Sequence, residues 1–310
     1  MIKEQNGITV EYNDYPAFVF NPMLIKIDGW YSKVLMRYAS GGKTYEETRD
    51  SYEGHTEFNP MKYAQECFYL DKAFSVEGGL TTNNGLMLRA DVTLVFASDT
   101  INEEITLYMF VLYGAHDCMD GLYYPFYYPT EYYSNLPCSV GWQNLVNETV
   151  TINGVQYKRV DKACYNISTA DYSGDLEING HILKENPCTD GVYLRWIDRD
   201  AFPRYKLFKQ GARKTKYTSY TTFARVDGIN VNSYAMSKGR ETEIACCAPL
   251  VGREEFFHLG SVLSSPIVEM YVNNEWFPVL VSDTTIEDKG TELQDFEISV
   301  KYISNCNVAL

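Results

Sequence analysis

From Gly191 to Ile197, and again from Tyr205 to Phe208, bulky and β-branched residues crowd together on either side of a short polar segment. This is the densest strand signal in the chain. Side chains alternate at period two along a strand, so Val192, Leu194 and Trp196 share one face and Tyr193, Arg195 and Ile197 the other. Asp198 to Asp200 supply a charged, solvated turn, and Pro203 marks an edge or bulge position where no amide is needed. Tyr193, Arg195, Trp196 and Tyr205 are therefore read as a scaffold hairpin, since none is placed as a nucleophile, general base or metal ligand.

Two further hairpins carry the Asn-Gly signature of a type I′ turn. Val150–Ile152 faces Val155–Tyr157 around Asn153-Gly154, and Leu176–Ile178 faces His181–Leu183 around Asn179-Gly180. With 26 Tyr and 15 Phe, the composition favours strands, and the fold class expected is mainly β: antiparallel β-sandwich domains with one or two short flanking helices.

The chain divides by pattern into three parts. Residues 1–114 form a leading β-sandwich: a meander of short strands turns at Ser40-Gly41-Gly42, followed by the alternating runs Leu86–Phe96 and Ile105–Tyr113. Asn59-Pro60 starts a short helix with Met61, Ala64 and Phe68 at helical spacing. Residues 115–185 are an aromatic, proline-rich loop with the two Asn-Gly hairpins. Residues 186–310 form a C-terminal sandwich or barrel, with strands around Asp227-Gly228 and one helix over Arg253–Ser264, whose apolar stripe is Phe256, Leu259 and Leu263. Pro266 ends that helix.

The net charge of −14 sets the chain against nucleic acid and anionic membranes as partners. Eight scattered cysteines show no metal or disulfide framework and read as small buried thiols, the adjacent Cys246 and Cys247 included. The Met1–Gly7 start has no apolar leader pattern and no run is long enough to span a bilayer, so folding in a cytoplasm is expected. Gly42-Lys43-Thr44 is not a phosphate loop, because Arg37 stands where the first glycine is required. His116, Asp117, Cys118 and Asp120 carry ligand chemistry, but their spacing fits neither a zinc site nor an EF-hand. No cofactor and no metal are expected.

In the segment from Gly114 to Trp142 no strand or helix period survives. Its Tyr123, Tyr124, Phe126, Tyr127, Tyr128, Tyr132 and Tyr133, with Trp142, either pack over a sheet edge or form an exposed surface for a partner protein or a sugar. A carbohydrate-binding module is thus the alternative to a purely structural protein. An enzymatic reading on Asp198 and Asp200, or on Cys247 with His258, is set aside, because a solvated turn, a buried thiol and a surface histidine account for those residues.

Gly191–Ile197, Tyr205–Phe208, Arg253-Glu254-Glu255 leading to Leu263–Pro266, Trp276–Val279 and Phe296-Glu297-Ile298 resemble the tail-tip structural proteins of tailed phages and prophages of gut-type bacteria. Phe20-Asn21-Pro22, Thr48-Arg49 and Tyr52-Glu53-Gly54 are similar to that group's leading β-domain. The resemblance implies a distal-tail-like or tail-tube-like virion protein of the baseplate region, assembled in the host cytoplasm. It also implies partners: further copies in a ring of three or six, other tail proteins, and host-attachment modules or host-surface glycan outside the ring.

Overall fold

A computed structural model describes residues 1–12, 17–69, 73–74, 80–82, 86–97, 102–114, 129–144, 149–158, 163–227, 230–282 and 287–306. The protein is mainly β, with several antiparallel sheets and short helices. It divides into two units. Met1–Glu185 and Ile197–Pro203 make the first; Asn186–Trp196 and Arg204–Leu310 make the second. The strands of the 192–208 hairpin therefore belong to one unit and its turn to the other.

The first unit opens with β1 (Ile2–Gln5), β2 (Ile8–Glu11), β3 (Ala17–Phe18), β4 (Ile25–Asp28), β5 (Lys33–Ser40), β6 (Lys43–Asp50) and β7 (His55–Phe58). Helix α1 (Met61–Ala64) follows, then β8 (Leu80–Thr82), β9 (Met87–Ala97) and β10 (Asn102–Leu112). One sheet has the order β1-β2-β4-β7 and the other β3-β10-β9-β5-β6. Each buries alternate residues: Ile8, Val10, Ile25 and Ile27 on the first; Val34, Met36, Val92, Leu94 and Phe96 on the second. One buried face on each of two sheets is the pattern of a sandwich. Asn59 Oδ1 accepts the Met61 amide at 3.1 Å, as expected of its side chain, but α1 lasts one turn and tightens to 3-10 geometry over Gln65–Cys67. The tighter repeat buries Cys67, while Phe68, at ordinary helical spacing, is only half-buried.

A second core lies in the same unit. It is built from β11 (Glu131–Tyr133), β12 (Ser139–Asn144), β13 (Thr149–Ile152), β14 (Val155–Lys158), β15 (Ala163–Ser168), β16 (Leu176–Ile178) and β17 (His181–Asn186), in sheets ordered β11-β17-β16-β13-β14 and β12-β15-β8. Strand β8 is drawn from the leading segment, so the two cores share chain. Strands β11 and β12 correct the reading of Gly114–Trp142 as having no period: cross-strand partners place their residues, which the interrupting prolines hide in sequence.

The two Asn-Gly turns do more than reverse the chain. Asn153 and Gly154 take φ of 46° and 76°, and Asn179 and Gly180 take 50° and 86°, the left-handed values that a type I′ turn requires. Ile152 pairs with Ile178, so the hairpins meet turn to turn. The Asn153 amide donates to the Glu177 carbonyl at 2.9 Å while Asn153 Oδ1 accepts the Glu177 amide at 2.8 Å. The Asn179 amide and Oδ1 bond Thr151 in the same way, each at 2.9 Å. Each asparagine thus extends the sheet by one step with its own side chain.

The second unit contains β18 (Val192–Ile197), β19 (Pro203–Asp227), β20 (Asn230–Gly252), α2 (Arg253–Leu259), α3 (Ser261–Ser264), β21 (Val268–Val272), β22 (Glu275–Pro278), β23 (Leu280–Val281) and β24 (Leu293–Cys306). Their order is β22-β21-β18-β19-β20-β24-β23. The two edge strands, β22 and β23, are one stretch of chain: Glu275–Pro278 pairs with β21 and Leu280–Val281 with β24, while the Val279 amide between them bonds the Val268 carbonyl at 2.9 Å. The sheet therefore closes on itself as a barrel, which removes its free edges there. Val192, Leu194 and Trp196, as their alternation predicts, lie in its core with Phe208, Ile244, Met270 and Phe296.

The expected helix over Arg253–Ser264 is present but divided at Gly260. The Leu263 amide bonds the Gly260 carbonyl, a three-residue step, and the phase shift puts Val262 in the core where Leu263 was expected. Leu263 is exposed. The stripe is Phe256, Leu259 and Val262. Buried Ser261 accepts the Trp196 indole N–H at 2.9 Å and donates to the His258 carbonyl at 2.6 Å, locking the helix to the hairpin.

Two stability measurements follow. Trp196→Ala should cost about 3–5 kcal/mol in urea unfolding, the range for emptying a large buried side chain. Asn153→Ala should cost about 1–3 kcal/mol, because it loses both a left-handed-tolerant residue and a hydrogen bond. Asn153→Asp, which keeps the acceptor, should stay close to the native protein; equal losses for Ala and Asp would show that the side-chain bridge does not matter.

Candidate functional site

On the outer face of the barrel the scaffold hairpin meets β21 and β22. The Tyr193 ring stacks against Tyr205 at 6.2 Å and lies 5.5 Å from Trp276, which in turn sits 4.9 Å from Tyr271. The Arg195 guanidinium lies 4.2 Å above Trp276 and bonds Glu269, its cross-strand partner, at 2.5 Å. Arginine stacked on indole and held by a carboxylate is fixed in orientation, and with Tyr193 2% exposed the cluster is largely buried packing rather than open surface. Phe277 and Leu280 stand exposed nearby on the closing stretch. The alternation of Tyr193 and Arg195 was legible in sequence; Tyr205, Trp276 and Glu269 join them only through register.

The candidate sugar-stacking residues fall elsewhere. Tyr123, Tyr124, Phe126, Tyr127 and Tyr128 lie outside the described residues, as do His116, Asp117, Cys118 and Asp120. Tyr132, Tyr133 and Trp142 are buried, so of the two readings left open for them the exposed platform does not apply. The rings of Tyr132 and Trp142 fill the second core of the first unit, where Tyr132 donates to the Gly174 carbonyl at 2.6 Å and Trp142 lies 6.2 Å from Tyr165; Tyr133, on the opposite face of β11, donates to Glu131 Oε1 at 2.8 Å. Burial, with Glu185 and Asp175 adding to it, pushes the Tyr132 hydroxyl above its ordinary pKa.

The residues weighed for catalysis have structural surroundings. Asp198 and Asp200 are buried, which corrects the expectation of a solvated turn. Asp198 Oδ1 accepts the amides of Asp200 and Phe202 at 2.9 and 2.8 Å, so the carboxylate winds the turn in place of water. Burial raises the Cys247 thiol, and Asp295 and Glu297 raise it further; burial alone pushes Cys246 up to about 12. A nucleophilic cysteine needs the opposite shift. Among the described residues no group of three or more His, Cys, Asp or Glu is placed to hold a metal, and no helix is long and apolar enough to cross a membrane.

The other feature is the ribbon of β19 and β20, joined through 228–229 and 25 and 23 residues long. Among the described residues strand β24 accompanies β20 as far as Lys238, and β18 has six residues to offer β19. Thr221–Asp227 and Asn230–Ser237 therefore pair only with each other among the described residues, over about 25 Å. At its root, Lys214 faces Glu243 and Lys216 faces Glu241 on one side of the ribbon. On the other side, continuing the core-facing row of Ile244 and Thr242, stand Arg213, Tyr217, Arg240 and Tyr302. Net charge hid this set; the local run of cations would have found it. Neither a scan of protein-family models nor a search of curated proteins yields a match for this chain.

The thiol environments give a direct check. Brief iodoacetamide treatment at pH 8 followed by peptide mapping should modify exposed Cys188 well before Cys247, Cys246 and Cys67, whose raised pKa values keep them protonated. Rapid labelling of Cys247 would revive it as a nucleophile.

Proposed function

We propose that the chain is a non-enzymatic structural component of a phage tail tip or tail, a distal-tail-like ring or adaptor protein that works through protein–protein contacts. The observation that carries this reading is the ribbon. The barrel closes its own edges, yet among the described residues one hairpin runs on beyond the strands that pair with it. An isolated two-stranded hairpin is marginal in water, so such an extension is stabilised by something it reaches. A strand-rich body with a flanking helix and a projecting ribbon suits a subunit that assembles with its neighbours, and the sequence resemblance supplies the kind of assembly. In this reading the protein is built in the host cytoplasm and resides in the virion tail, and the exposed Phe277 and Leu280 are contact surface for copies or for other tail proteins. The carbohydrate reading has no comparable support, since the described members of its platform are buried.

Light scattering and negative-stain microscopy of the purified chain test this. Rings of three or six copies are the expected result. A protein that stays monomeric at high concentration and on mixing with tail proteins would overturn the reading.

A further inference from the structure

The charge of this protein is unevenly placed. The chain carries −14, but between Lys209 and Arg240 there are seven basic residues and a single acidic one, Asp227. The first unit holds 27 Asp and Glu against 14 Lys and Arg, a net of −13. No Lys or Arg occurs between Arg89 and Lys158, a stretch with eight Asp and Glu. Lysines on a strand edge often serve only to discourage unwanted pairing. That explains Lys214 and Lys216, which face Glu243 and Glu241 and are locally balanced.

It does not explain Arg213 and Arg240. Arg213 is exposed and donates to a neutral acceptor, the Tyr302 hydroxyl, at 2.6 Å. Arg240 has its Nε buried with no hydrogen-bond partner. Register puts both on one side of the ribbon root: Arg213 opposite Ile244, and Arg240 between Tyr217 and Ser304, with Tyr217 69% exposed. Glu241 and Glu243 point to the other side by alternation. A buried guanidinium N–H without an acceptor is rare in a finished structure, and its natural complement is a carboxylate.

We propose that the Arg213–Arg240 face of the ribbon docks onto the acidic first unit of a second copy of this chain. The inference rests on the self-assembling reading above and names its contact. Two copies at −14 repel each other over most of their surfaces, and the ribbon is the long stretch of opposite sign through which they approach. The flanking Tyr217 and Tyr302 suit an interface, with an apolar ring and a polar tip on each.

Sedimentation velocity of the full chain over a concentration series, from about 50 to about 500 mM NaCl, reads the contact directly. The native protein should self-associate more weakly as salt rises. Arg213→Glu should weaken association at low salt by at least about tenfold, one decade being the effect expected when a close charge pair turns repulsive. Arg213→Lys should retain most of it, and an unchanged thermal melt would show that both variants fold. Arg240→Gln, which removes the buried unpaired N–H, should weaken association as well. Association that is insensitive to salt and to both Arg213→Glu and Arg240→Gln overturns the docking while leaving the structural-protein reading intact. A native protein that is monomeric throughout overturns both. Salt-dependent binding of a DNA duplex without self-association would assign the face to phosphate and overturn the second copy as its occupant.

Discussion

Much of this structure depends on how seven residues are held. Ile197–Pro203 leaves the strands of the second unit and belongs to the first. Its shape comes from one carboxylate: Asp198 takes two amides of the turn on its side chain and pairs its own amide with the Phe202 carbonyl at 2.9 Å, while Ala201 accepts a left-handed φ of 65°. The turn presents Phe202 for complete burial. Room for it is made by missing atoms. A Cβ on Gly141 would come within 2.6 Å of the Phe202 ring, and one on Gly114 within 2.2 Å of the Arg199 carbonyl, so both positions require glycine for close approach.

Local rules recovered the parts of the fold that local rules govern. Period-two alternation located the core faces of β5, β9, β10 and β18, and Asn153-Gly154 and Asn179-Gly180 announced their turns because left-handed torsions are a property of those residues themselves. Whatever depends on distant partners stayed hidden. Nothing in Leu80–Thr82 indicates that it joins β15, and nothing in Glu275–Val281 indicates that it closes a barrel by pairing on both sides. Asp198 and Asp200 look solvated in sequence because a carboxylate bonded to its own backbone carries the same letters as one bonded to water. Val262 replaces Leu263 in the core because Gly260 shortens the helical repeat by a fraction of a turn.

The candidate contact surfaces show the same division. Tyr193 and Arg195 could be placed on one strand face from spacing, but their completion by Tyr205, Trp276 and Glu269 is a matter of register. The Arg213–Arg240 face was masked by averaging: an overall charge of −14 argues against anionic partners only if the charge is spread evenly, and here one hairpin carries the opposite sign. Charge is informative when read against the unit that bears it. A chain so divided carries stretches of both signs within one sequence.

The shared hairpin has a consequence for how the chain is made. The first unit is translated first, yet the peptide that brings Phe202 into it lies beyond Glu185 and cannot arrive until residue 203 has left the ribosome. Its folding is therefore out of step with its synthesis. Cutting the gene at the apparent boundary would leave one product with an unfilled hollow beside Gly141 and the other with a displaced aromatic side chain. The two units are inseparable as genetic pieces.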